Sequence, residues 1–193
     1  MVGVVLIISY AYNSQKPTYT ITKPYKFPIT PENREEWKKL TSIVQKKEAC
    51  QVPQKIVENM TTEALIETVL TYPIFPVEQA FTEPAYALNG YLDFNGFIEL
   101  FSRSDAATLL FKMYMEMYMD ENYSKEISSP NYLRNLRVKM LLARPEIWSK
   151  LNDQDLKRLR ETNINLYSED LYRKKTLDMS TKQGEEVLEV HPN

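Results

Sequence analysis

The stretch from Met60 to Met119 constrains the fold more than any other part of the chain. Its apolar residues recur at helical spacing, its helix starts carry capping residues, and it has few glycines and no histidine. The one histidine of the chain, His191, and the one cysteine, Cys50, lie outside it. Such a core offers few of the side chains that nucleophilic catalysis or a transition-metal site needs. We therefore expect no metal and no cofactor.

Helix boundaries can be predicted from hydroxyl and amide caps and from prolines. A cap or a proline in the first turn marks a helix start, and the residue before a proline is pushed out of the helical region. These signals predict helix starts at Thr30-Pro31, Pro53, Thr61, Ser129-Pro130, Pro145 and Asn152, and a helix end at Tyr72-Pro73. In the helix that begins at Pro31, the spacing of Trp37, Leu40 and Val44 predicts one buried face.

The helix expected over residues 105–119 is apolar on most sides. Its polar residues Thr108, Lys112 and Glu116 recur every four positions and form one narrow stripe. A helix of this kind is surrounded by other helices, so we expect it at the centre of the molecule. Helices of about 8 to 18 residues with short connections predict an all-α fold, a multihelical bundle of short to medium helices. A short α-solenoid is the alternative, although no repeat of fixed period is convincing.

Three regions are predicted along the chain. Residues 1–29 are an apolar N-terminal segment followed by a polar tether, residues 30–176 are a single helical domain, and residues 177–193 are a flexible tail. The apolar stretch from Val2 to Ile8 has the length of the hydrophobic part of a signal peptide, and small residues flank a cleavage-type site at Ser9 to Ala11. Nothing basic precedes Lys16, so a β-strand or a packed arm is the alternative to a signal.

The charge of the chain bears on its partners. The net charge is −2, which gives no overall nucleic-acid footprint, and no apolar stretch is long enough to span a membrane. Residues 134–175 are locally basic, with eleven basic and six acidic residues. This region either meets an anionic partner or forms a solvated helix surface. The oligomeric state stays open.

The strongest constellation of polar side chains runs through Asn95, Glu99, Arg103 and Asp105. Glu99 and Arg103 stand four residues apart, so on one helix they are close enough to pair. Asp105 can interact with a helix N-terminus or with the same arginine. One interpretation is a polar site at a helix junction, in which Arg103 grips a carboxylate or the two acids do acid–base work. The other is an ion-pair network that joins two helices, with Asn95 as a cap.

Three distinctive strings lie within residues 30–120. They are Ala49-Cys50-Gln51-Val52-Pro53, then Met60-Thr61-Thr62-Glu63-Ala64-Leu65 with Leu70-Thr71-Tyr72-Pro73, and Phe94-Asn95-Gly96-Phe97 with Glu99-Leu100 and Arg103-x-Asp105-Ala106. Together they resemble a family of uncharacterised exported helical proteins of Gram-positive bacteria, to which no activity is attached. The resemblance implies a fold and export, in agreement with the apolar N-terminal stretch, and it implies no mechanism.

Two functions of different classes are compatible with the sequence. The first is a non-catalytic helical interaction or scaffold domain, extracellular or at the cell surface, with a protein or a cell-envelope component as its partner. An exposed apolar or tyrosine-lined groove would favour it, and a smooth charged surface everywhere would count against it. The alternative is a hydrolase or transferase that uses Glu99 and Asp105 as its acids and Arg103 as a substrate clamp. That chemistry needs a cleft and a raised carboxyl pKa.

Overall fold

Nine α-helices and no strand are present in the residues that the computed structural model describes, which are 19–77, 87–119, 130–162, 164 and 166. The predicted all-α multihelical fold is therefore confirmed for these residues. A 3₁₀ turn at Asn89–Tyr91 precedes α5. The helices are α1 (Arg34–Lys39), α2 (Ile43–Ala49), α3 (Gln54–Asn59), α4 (Thr62–Leu70), α5 (Asn95–Ser102), α6 (Ala106–Met119), α7 (Pro130–Leu142), α8 (Pro145–Trp148) and α9 (Asp153–Glu161).

Helix α4 is the centre of the bundle. It begins where the Thr61 hydroxyl accepts a hydrogen bond from the Ala64 amide at 3.2 Å, and it ends at Leu70, ahead of Pro73. All of its residues except Glu63 and Glu67 are buried. Helices α5, α6 and α7 pack around it, which is the arrangement that a helix with only a narrow polar stripe requires.

The prediction that the helix ending at Met119 lies at the centre is wrong. Its N-terminal half packs on α4 and α7, but Tyr118 and Met119 are 52% and 70% exposed. Thr108, Lys112 and Glu116 face solvent, as their spacing predicts. The prediction counted all apolar residues of this helix as buried. Several of them are methionines that are only half-buried, because their long side chains lie along the surface of the bundle.

The helix predicted from Pro31 is also wrong in its start and its length. Thr30 to Asn33 form a turn, α1 begins at Arg34, and the chain breaks again before α2. The break arises because Ser42 and Gln45 form a capping box, in which each side chain bonds the backbone N–H of the other. This local pairing competes with a continuous helix. Val44, predicted to be inside, is 58% exposed.

Residues 19–29 form an extended arm that lies along α4, and we call them the arm. The Thr61 amide donates to the Ile21 carbonyl at 2.8 Å, and the Tyr25 amide donates to the Thr68 hydroxyl at 2.8 Å. Phe27 is buried in the core. The tether predicted up to residue 29 is therefore packed structure in its described part, because its apolar side chains find a place on α4. The apolar stretch at 2–8 and the predicted tail at 177–193 lie outside the described residues.

An aromatic cluster joins the arm to the end of α4 and the start of α5. Phe94 stacks on Tyr72 with 4.0 Å between ring centroids and meets Phe97 edge-on at 5.2 Å. Phe27 of the arm lies 6.2 Å from Phe94. Each such pair adds about 0.5–1.5 kcal/mol beyond the burial of its area. The cluster therefore fixes the arm in place against two helices.

Cys50, at the end of α2, is fully buried, and its Sγ lies 4.0 Å from the Ile29 carbonyl of the arm. Burial raises the pKa of this thiol from its ordinary 9.0 to about 11. The unfolded chain therefore releases the thiol proton before the native chain does. Because the native state then holds more protons, its free energy of unfolding falls as the pH rises from 9 to 11. Urea unfolding curves at pH 8, 9, 10 and 11 measure this loss.

The variant Cys50→Ala is the control for this pH dependence. It removes the thiol and should flatten the decline between pH 9 and 10. Some decline above pH 10 should remain, because burial also raises the pKa of the Tyr72 hydroxyl. An identical pH profile for the wild type and Cys50→Ala would contradict the assignment of the loss to this buried thiol.

Candidate functional site

Arg103 is buried between the end of α5 and the start of α6, with 4% of its surface exposed. Its Nε donates to Glu99 Oε1 at 2.6 Å, the pair that the four-residue spacing predicts. Its Nη1 donates to the Met60 carbonyl at 3.1 Å. The guanidinium also lies over the ring of Tyr19, 3.6 Å from its centroid. The guanidinium is thus hydrogen-bonded along its edge and covered on one face by the Tyr19 ring.

The partners of Arg103 include the C-terminal end of α3. Its Nη2 donates to the carbonyls of Glu58 and Val57 at 3.3 and 3.4 Å. The last carbonyls of a helix have no partner within the helix and carry partial negative charge, so a cation stabilises them. Arg103 therefore joins α3, α5 and the arm. This network corresponds to the structural interpretation of the polar constellation.

Asp105 and Asn95 make separate contacts. Asp105 Oδ1 accepts from the Thr62 hydroxyl at 2.8 Å and makes no ion pair with Arg103 in the described part of the chain. Asn95 binds the connection between α2 and α3: its Oδ1 accepts from the Val52 amide at 3.1 Å, and its Nδ2 donates to the Val52 carbonyl. The candidate residues thus hold three different helix ends and do not converge on one cavity.

The basic region of the C-terminal third supplies contacts within the fold. Arg134 binds both carboxylate oxygens of Glu67 on α4, at 2.9 and 2.6 Å. Arg144 binds Glu146 and the side chain of Asn89. Lys150 donates to two carbonyls at the end of α5. These cations therefore pack α7 and α8 against the rest of the bundle.

A groove with a volume of about 550 Å³ lies beside the arm, and the sequence did not reveal it. Its walls are the arm at 24–27, the turn at 30–32, the end of α4 at 71–73, and Arg137 of α7. We call it the arm groove. None of Asn95, Glu99, Arg103 and Asp105 lines it. The signal that could have revealed it is the apolar spacing of Ile21, Tyr25 and Phe27, which marks residues 19–29 as packed rather than tethered.

Arg137 lines the arm groove and leaves part of its hydrogen-bonding capacity unused. Its Nη1 donates to the Leu70 carbonyl at the end of α4, and its guanidinium lies 5.2 Å from the ring centroid of Phe75. Its Nε is buried and has no hydrogen-bond partner. Burial lowers the pKa of Arg137 from its ordinary value, and the charge of Glu32 opposes that shift. The groove therefore contains a fixed cation with free donors.

Two other groups complete the chemistry of the arm groove. The pKa of the Glu32 carboxyl is lowered, first by a hydrogen bond with the side chain of Thr30, then by a backbone N–H, and also by the charge of Arg137. Tyr72, which lines the groove, is fully buried, and its hydroxyl has no hydrogen-bond partner. Two cations, the exposed carboxylate of Glu32 and the partly exposed ring of Tyr25 suit a ligand that combines apolar and polar groups.

The described residues contain no group of three or more histidine, cysteine, aspartate or glutamate side chains placed to hold a metal ion. None of the described helices combines the length and the apolar character that crossing a membrane takes. Comparisons with protein-family models, with curated proteins and with solved structures return no match. The resemblance to exported proteins of Gram-positive bacteria therefore stays a prediction.

Proposed function

We propose that this protein is a non-catalytic helical interaction domain that acts outside the cell or on its surface and binds an extended segment of a partner protein in the arm groove. The observation that carries the proposal is the groove itself, which is lined by three prolines, by Tyr25 and by Arg137, whose Nη2 makes no hydrogen bond in the described residues. Mainly apolar concave sites with a few placed polar groups are the usual form of binding sites, and their volumes are about 300–1,000 Å³.

The walls of the arm groove are held in place before any ligand arrives. Tyr25 is tied to α4 through the hydroxyl of Thr68, and Phe27 is buried against the aromatic cluster. Pro24, Pro31 and Pro73 restrict the backbone at three places on the rim. A preformed site loses less conformational entropy on binding, which favours affinity for a short segment.

The alternative, an acid-residue hydrolase or transferase, has no such observation in its favour. Arg103, offered as its substrate clamp, bonds Glu99 and the carbonyls at the end of α3. Asp105 bonds Thr62. The groove lies elsewhere. We therefore place the interaction surface at the arm groove.

A peptide-display selection on the full chain tests the interaction function. Peptides enriched on the wild type should bind Lys26→Trp at least about tenfold more weakly, because an exposed lysine of the groove wall is replaced by a bulky ring that fills the groove. Lys23→Trp is the matched control: Lys23 is an exposed lysine of the same arm outside the groove lining. Failure to enrich any peptide, or equal binding to Lys26→Trp, would contradict the proposal.

Export is the second part of the proposal, and it is supported by the apolar stretch from Val2 to Ile8 and by the resemblance described above. A tagged full chain expressed in a Gram-positive host should be recovered from the medium or from the cell wall. Replacement of Leu6 and Ile7 by aspartate should retain it inside the cell, because a signal needs an uninterrupted apolar core. Recovery of the wild type only from the cytosol would contradict export.

A further inference from the structure

We infer that the arm groove recognises an acidic side chain, glutamate or aspartate, of the extended partner segment, and that Arg137 holds its carboxylate through Nη2. The inference rests on the proposed function, since it concerns the same groove, and it names the chemistry of the ligand.

The contacts of Arg137 leave one of its nitrogens for a ligand. Nη1 is committed to the Leu70 carbonyl, and the ring of Phe75 lies against the group, so the side chain is held in one orientation. Nε is buried, so a ligand in the groove does not reach it. Nη2 makes no hydrogen bond in the described residues and can donate to a carboxylate oxygen in a charge-assisted hydrogen bond.

Arg134, one turn earlier on α7, shows the same chemistry completed within the fold. It binds both oxygens of Glu67, whose carboxylate α4 supplies. Arg137 receives no such carboxylate: Glu32 lies close enough to influence its charge but forms no ion pair with it in the described part of the chain. Arg137 is thus a cation to which the described residues supply no carboxylate.

The charges of the arm groove select a carboxylate over a phosphate. The lining holds two cations, Lys26 and Arg137, and one carboxylate, Glu32. The surplus of one positive charge matches a single carboxylate, whereas a phosphate monoester carries nearly two negative charges and needs more donors. A C-terminal carboxylate is commonly captured by backbone N–H groups as well. Pro24, Pro31 and Pro73 have no N–H to offer, so we choose a side-chain carboxylate.

Three pools of synthetic hexapeptides test the inference with the full chain. All have five positions randomised over proline, tyrosine, phenylalanine and leucine. The first has a fixed glutamate and blocked ends, the second has glutamine there and blocked ends, and the third has glutamine and a free C-terminal carboxylate. The readouts are the Nε–H signal of Arg137 in ¹H–¹⁵N spectra, assigned with Arg137→Lys, and the backbone signals of the groove.

The glutamate pool should shift the Nε–H signal to saturation at a concentration about tenfold lower than either glutamine pool needs. Equal shifts with the blocked glutamine pool would overturn the acidic ligand and leave the interaction function standing. A preference for the free C-terminus would overturn the side-chain source. No shift of any groove signal would contradict both proposals. A dimer in sedimentation that Arg137→Lys dissociates would overturn the inference in favour of a second copy of this chain.

Substitutions give an independent measure. Arg137→Lys keeps the charge but has a single nitrogen, which cannot serve the Leu70 carbonyl and the ligand as Nη1 and Nη2 do, so the glutamate pool should bind about tenfold more weakly and the glutamine pools unchanged. Arg134→Lys is the matched control on the same helix and should leave all three pools unchanged. Glu32→Gln removes the negative charge of the groove and should strengthen the glutamate pool several-fold. Weaker binding of the glutamate pool to Glu32→Gln would contradict the electrostatic part of the argument.

Discussion

Replacing Arg103 with methionine is expected to lower the free energy of unfolding by about 3 kcal/mol or more. The change leaves the Glu99 carboxylate without its cation and leaves the buried carbonyls of Met60 and Val57 without this donor. Buried acceptors that lose their partner carry their full desolvation cost, about 1–3 kcal/mol each. The ring of Tyr19 also loses the cation that lies over it.

Urea unfolding followed by circular dichroism measures the effect of Arg103→Met. Lys112→Met is the matched control, because Lys112 is exposed on α6 and its ion pair with Glu116 is long, at 3.9 Å. The control should stay within about 0.5 kcal/mol of the wild type. A loss below about 1 kcal/mol for Arg103→Met would show that the network around this arginine is not a determinant of stability.

Gly96→Ala is expected to destabilise the protein by about 2 kcal/mol, although alanine is the better helix former. A Cβ at this position would lie 2.4 Å from Cε1 and 2.5 Å from Cζ of the Phe94 ring. That ring is fully buried and is held by Tyr72 on one side and Phe97 on another, so it has nowhere to move. The overlap must therefore be relieved by a shift of α5 or of the aromatic cluster.

Gly90→Ala is the matched control for this prediction, since a Cβ there meets nothing within 4 Å. It should be neutral or slightly stabilising, because alanine reduces the conformational entropy of the unfolded chain. Thermal and urea unfolding of the two variants separate steric overlap from helix propensity. Equal stabilities for Gly96→Ala and Gly90→Ala would contradict the packing argument.

Local capping explains why much of the helical pattern could be predicted. The caps at Thr61 and Asn152 bind the amides of Ala64 and Asp155, within three residues of themselves. Pro145 occupies the first turn of its helix. These signals depend only on neighbouring residues, so the sequence shows them directly. The all-α class followed from the same signals and is confirmed in the described residues.

The wrong predictions concern competition and long-range packing. The apolar periodicity alone predicted that Val44 is buried. The capping box of Ser42 and Gln45 instead starts a separate helix, in which Val44 is exposed. The arm was predicted to be a tether because many of its residues are polar. The Tyr25 amide nevertheless donates to the Thr68 hydroxyl, which is 43 residues away in the chain. Contacts at that separation depend on tertiary packing and have no local signal.

The candidate site was predictable only in part for the same reason. The spacing of Glu99 and Arg103 predicts their pair, but the carbonyls at the end of α3 lie more than 40 residues from Arg103 in the sequence. Arg137 was only one of eleven basic residues in its region. The contacts that leave its Nη2 without a partner depend on where the arm and α4 lie, which the sequence pattern did not specify.

The central claim is that the arm groove is the interaction surface of this protein. The most direct measurement is a backbone NMR titration of the full chain with the peptide that the display selection enriches most. We predict that the perturbed signals cluster at Tyr25, Thr71 and Arg137. Perturbations centred on the exposed apolar residues Ile43 and Val44 of α2, with the groove unchanged, would contradict the claim and move the interaction surface to that helix.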